Sequence, residues 1–75
     1  MAAIEFLYGA KWFFVGLHPT ERFRLVADFD RLADDHVRGT AHRLAGTRNV
    51  YRARCGGRTV LYHERQGRIT ILIIR

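Results

Sequence analysis

The chain is short of almost everything that would staple or anchor it. Its 75 residues include one cysteine, Cys55, so no internal disulfide can form. A lone thiol suits a reducing compartment better than an oxidising one. The longest apolar runs are "WFFV" and "ILII", against the roughly 20 residues that span a bilayer. No membrane span is expected. "MAAIEFLYGA" carries no basic residue ahead of its apolar ones and does not read as a secretory signal, so a cytoplasmic location is expected. No CxxC or HxxxH spacing occurs, and His18, His36 and His42 show no paired spacing, which argues against a metal site. P-loop glycine patterns, repeats and low-complexity stretches are missing too. A single domain over residues 1–75 is the only size that fits. So short a chain hides only about 60% of its unfolded surface, so a binding partner would help it.

Acid is the other shortage, and it is local. Residues 1–37 hold four basic and six acidic side chains; residues 38–75 hold nine arginines against Glu64 alone. A surface of one sign is not needed for solubility, which mixed charges serve as well. Such asymmetry points to a polyanion, either nucleic acid or an acidic protein segment. The planar guanidinium fork suits phosphate.

The periodicity of what is present predicts an α+β domain. "AIEFLY" alternates over residues 3–8, with Ile4, Phe6 and Tyr8 on one side, and reads as a strand stopped by Gly9. "AKWFFVGL" is ambiguous between a strand and a short buried helix. "HPTERFRLVADFDRLADD" reads as an amphipathic helix. Pro19 sits at its first position and Glu21 in its first turn; Leu25, Val26, Phe29, Leu32 and Ala33 form its stripe. Its end is expected near Ala33, and Arg24 and Asp28 are spaced to pair. Residues 34–48 read as a connecting loop. Three strands follow, Val50 to Cys55, Thr59 to His63 and Ile69 to Ile74, joined by turns at Gly56-Gly57 and around Gly67. The last has apolar residues at both parities, which predicts a central strand covered on each side. The expected fold is an N-terminal strand and a short helical hairpin packed on a three- to four-stranded antiparallel sheet.

If the Gly-Gly hairpin holds its usual register, Arg52 and Arg54 share a face with Thr59, Leu61 and His63. Arg48, Arg58, Arg68 and Arg75 lie nearby in sequence, and together they suggest a phosphate-binding surface. Cleaving RNA requires a proton to leave a 2′-hydroxyl and another to reach the departing 5′-oxygen. Arginine stabilises the phosphate between those events but cannot cycle protons near neutrality. His63 is the natural carrier, with Tyr51 and Tyr62 as weaker candidates. Cys55 reads as a small buried hydrophobe, and Trp12, Phe13, Phe14, Phe23 and Phe29 as core.

"LAGTRNVYRARCGGRTVLYHERQGRITILIIR" resembles the C-terminal half of the RelE/ParE superfamily of toxins from type II toxin–antitoxin modules. Leu44, Gly46, Tyr51, Arg52, Arg54, Gly56, Val60, Leu61, Tyr62 and Ile69 to Ile74 carry the likeness without a gap. The first half matches loosely, in element order. The resemblance implies a small basic toxin neutralised by an acidic antitoxin that wraps it. RelE-like members cleave mRNA on the ribosome, inhibiting translation as metal-independent endoribonucleases (mRNA interferases) without a cofactor; ParE-like members inhibit DNA gyrase. The short helical hairpin is nearer the RelE-like pattern, with Arg52 and Arg54 on its two basic strand positions. With His63 from the reading of the strands, the expected catalytic set is Arg52, Arg54, His63 and Arg75, with Arg48, Arg58 and Arg68 binding RNA. The pattern departs at Thr59, where relatives carry an arginine, and at Arg75, beyond which relatives continue through a histidine- or tyrosine-bearing tail. A gyrase-directed toxin, or a module that only binds RNA or antitoxin, is the alternative.

Overall fold

A computed structural model describes residues 3–34 and 41–75. The elements in chain order are β1 (Ala3–Phe6), α1 (Tyr8–Val15), α2 (Pro19–Asp34), β2 (His42–Arg43), β3 (Val50–Cys55), β4 (Arg58–Arg65) and β5 (Arg68–Ile74). They build one sheet in the order β1-β5-β4-β3-β2. The expected α+β plan holds, with a sheet of five strands. It is mixed, because β1 runs parallel to β5 while the other pairings are antiparallel. The added strand, β2, lies within the stretch read as a loop. Of that stretch, residues 35–40, including His36, lie outside the described residues.

The first strand is shorter than its alternation suggested. The Leu7 N–H still donates to the Ile71 carbonyl (2.8 Å), but the Lys11 N–H already reaches back to the Leu7 carbonyl (2.9 Å). Helix therefore begins at Tyr8, and the ambiguous "AKWFFV" is helical despite its strand-forming composition. Tertiary packing decides the matter. Ala10 and Phe14, four apart, turn inward at helical spacing, and the Phe14 ring meets Phe6 (5.0 Å between centroids) and Phe29 (6.4 Å). Not every aromatic is core, contrary to expectation. Tyr8, Trp12 and Phe23 are 74%, 59% and 77% exposed, and Phe13 is exposed as well.

The second helix follows its sequence signals closely. Pro19 opens it, the His18 Nδ1 accepts the Thr20 N–H (3.2 Å), and Leu25, Phe29 and Leu32 are buried against the sheet. Its described residues run from Pro19 to Asp34, and Val26 is exposed rather than part of the buried stripe. The anticipated Arg24–Asp28 pair is replaced by a different one. Asp28 faces the β3–β4 turn, where it accepts the Gly56 N–H (2.6 Å) and pairs with Arg31.

Both hairpins turn where expected. Gly56 and Gly57 have φ of 55° and 80°, and Gln66 and Gly67 have 52° and 80°. Two consecutive positive-φ residues match the twist of flanking strands, and glycine takes that conformation without the penalty other residues meet. Adding a Cβ to Gly56 would also bring it within 3.3 Å of the Leu25 side chain. The helices cover one face of the sheet, burying Ala53, Cys55, Val60, Tyr62, Ile69, Ile71 and Ile74. β5 lies inside the sheet but is not enclosed on both sides, since Ile73 is exposed. The double-parity pattern has another cause. The register slips beside Leu61 and Tyr62, so Leu61 opposes Ile73 while Tyr62 opposes Ile71. This bulge hands the buried parity from Ile71 to Ile74.

Candidate nucleic-acid interface

The open face of the sheet can be read off its register, since cross-strand partners share a face. Arg54 opposes Thr59, and Thr59 exchanges backbone hydrogen bonds with Arg75 (3.1 and 2.8 Å). The next row runs His42, Arg52, Leu61, Ile73. Beyond it come Val50, His63, Thr70 and Glu5, and then Arg65 opposite Arg68. The expected grouping of Arg52 and Arg54 with Thr59, Leu61 and His63 is therefore present. Arg75 joins them from β5, one strand beyond Thr59.

Arg52, Arg54 and Arg75 are exposed, His63 is half-buried, and the Arg54 Nη1 lies 3.5 Å from the Thr59 Oγ1. Beside Arg52 and Arg54, a cleft of about 460 Å³ is lined by His42, Arg52, Ala53, Arg54 and Thr59. Among its described lining residues there is no carboxylate. Along the described part of this face the register positions only Glu5, whose Oε1 is 3.9 Å from the Arg68 guanidinium. Arg65 and Arg68 meet directly across the β4–β5 hairpin. Like charges so placed destabilise a sheet, and a polyanion would relieve that repulsion.

Not all the expected residues converge. Arg48 is exposed in the loop before β3. Arg58 has the opposite parity. Its guanidinium turns toward the helices, paired with the Glu21 carboxylate at 2.8 Å and set over the Phe13 ring at 5.3 Å. It does not share the face of Arg52 and Arg54. The weaker proton-carrier candidates are likewise on the far side. Tyr51 and Tyr62 stack beneath the helices at 5.5 Å and 18°, and burial pushes the Tyr62 phenol well above its ordinary pKa. Cys55 is fully buried, and burial, then the nearby Asp28 charge, push its thiol up to about 12. It acts as a small hydrophobe there, not as a nucleophile.

Two side chains on this face were not singled out from the sequence. His42 reaches the cleft because the two-residue β2 adds to the edge of β3, a pairing too short to leave a period. Arg65 had the parity of His63 and Leu61 as its signal. Among the described residues, no three His, Cys, Asp or Glu side chains converge as metal ligands would. None of the described helices is long and apolar enough to cross a membrane. The chain matches no family model, and neither a curated protein nor a solved structure matches it.

Proposed function

We propose that this chain is the toxin of a type II toxin–antitoxin pair of RelE/ParE type, and that it inhibits translation by cleaving mRNA on the ribosome. The observation that carries the reading is the sheet face opposite the helices, where Arg52 and Arg54 line a cleft with no carboxylate among its described lining residues and Arg75 pairs with Thr59 beside it. Arg52 and Arg54 hold the scissile phosphate and stabilise it as charge builds on its oxygens. Arg75 assists from just past the end of β5, an imidazole on this face carries a proton, and Arg48, Arg65 and Arg68 track the flanking backbone. Arg58, committed to Glu21, supports the helix layer instead. The natural partner is an acidic, partly disordered antitoxin that folds over the arginine face, and the working compartment is the bacterial cytoplasm.

Expression in a bacterial host tests the reading. Growth should arrest, mRNA 5′ ends should accumulate within open reading frames, and Arg52→Ala with Arg54→Ala should relieve both effects. An unaffected host sinks the toxin reading. The exposed Trp12 and Phe23 favour a second, protein-directed reading of ParE type. Arrest with DNA damage and uncut mRNA would select it.

A further inference from the structure

We propose that His42, rather than His63, is the proton acceptor of a cleft built for one ribonucleotide phosphodiester. This rests on the nuclease reading above and goes beyond it. His42 lines the cleft and is the direct cross-strand partner of Arg52; His63 does not line it and lies one row further along the sheet.

The lining explains what such a cleft would take. It presents two guanidiniums, one hydroxyl and one imidazole, from Arg52, Arg54, Thr59 and His42. Guanidinium and hydroxyl donors bind non-bridging phosphate oxygens, and the guanidinium cannot accept a proton at any pH of interest. The threonine hydroxyl is too weakly basic to do so. Among the described lining residues, the imidazole is then the group that offers a basic nitrogen lone pair. At about 460 Å³ the cleft has room for one phosphodiester and its sugar. Lying on an open sheet face, it suits a single strand.

The step is an internal displacement. The 2′-oxygen forms a bond to phosphorus as the bond from phosphorus to the 5′-oxygen breaks. The 2′-hydroxyl proton goes to His42, and a water proton goes to the departing 5′-oxygen. The hydroxide left behind recovers the proton from the His42 imidazolium. The products are a 2′,3′-cyclic phosphate and a free 5′-hydroxyl.

Two measurements on the full chain test this. In the first, the 2′-deoxy form of a dinucleoside monophosphate is titrated while the histidine ring resonances are followed by NMR. His42 should shift, and the shift should vanish in Arg52→Ala with Arg54→Ala. In the second, mRNA cleavage on ribosomes is compared for the wild type, His42→Gln and His63→Gln. Removing a positioned base should slow cleavage by about 100-fold or more, with His42→Gln still binding RNA and losing far more activity than His63→Gln. Undiminished cleavage by His42→Gln, or a shift at His63 with His42 unmoved, overturns the assignment and leaves the nuclease reading intact. A wild type that cuts nothing, free or on ribosomes, overturns the nuclease reading and the proton role with it.

Discussion

The two faces of the β3–β4 hairpin are built from alternate residues of the same short strands, yet they have opposite chemistry. On one face Ala53, Cys55, Val60 and Tyr62 are sealed beneath the helices; on the other Arg52, Arg54, Thr59, Leu61 and His63 meet solvent. Parity alone separates them. A sheet covered on one side can thus assign stability to one set of positions and binding to the other. The helical layer shows the converse economy. It contributes few buried side chains, chiefly Ala10, Leu25, Phe29 and Leu32, and leaves Tyr8, Trp12 and Phe23 outside.

The sharpest test of that separation compares neighbours of opposite parity. Tyr62→Ala should cost about 3–5 kcal/mol, as other large-to-small aromatic core substitutions do. That is a large share of the roughly 4–11 kcal/mol expected for a domain of this length. Urea denaturation should show the cooperative transition lost or shifted to very low denaturant. Leu61→Ala, one residue away on the open face, should cost about 1 kcal/mol or less. Equal losses would mean the open face is covered and the parity argument is wrong. Arg52→Ala with Arg54→Ala, in the same assay, should leave the midpoint unchanged or raised.

A smaller effect separates the two glycines of the turn. Both have positive φ, so alanine at either position meets a left-handed penalty of about 1–2 kcal/mol. Only at Gly56 does the new methyl also meet Leu25, at 3.3 Å; at Gly57 nothing lies within 4 Å. Gly56→Ala should therefore be the more destabilising, by about 1 kcal/mol. Thermal unfolding of the two variants measures the difference. A turn that tolerates both equally would show that α2 does not press on this hairpin.

Much of this arrangement was legible in the sequence where a period was long enough to read. The Gly56-Gly57 turn fixed the β3–β4 register, and with it the grouping of Arg52, Arg54, Thr59 and His63. Pro19 and the spacing of Leu25, Phe29 and Leu32 defined α2. Three features escaped for physical reasons. β2 is two residues long, too short for alternation, so His42 looked like a loop residue. The bulge in β5 mimicked a strand buried on both sides, because a parity switch and double burial write the same apolar run. "WFFV" became helix through contacts of Phe14 with Phe6 and Phe29, which no local propensity encodes. The direction of Arg58, by contrast, could be counted from the sequence, since it stands one residue before Thr59 and so has the opposite parity.

The smallest expected effect concerns a carboxylate that ties the helix layer to the turn of the hairpin. Asp28 is held below its ordinary pKa of 3.8, first by the Gly56 N–H and then by Arg31. In the unfolded chain the same group titrates near 3.8. The folded state therefore binds the proton more weakly, so the stabilisation is complete above that value and drains away as pH falls through the lowered folded pKa. Asp28→Asn removes this dependence. At pH 5 the variant should be less stable by about 1 kcal/mol, the usual size of a partly exposed charge-assisted hydrogen bond. As the pH is lowered from 5 to 2 the two unfolding midpoints should converge, because the wild type loses what the variant never had. Curves that stay parallel would mean that Asp28 does not clamp the turn, and the close contact between α2 and the hairpin would then rest on Leu25 and the Glu21–Arg58 pair.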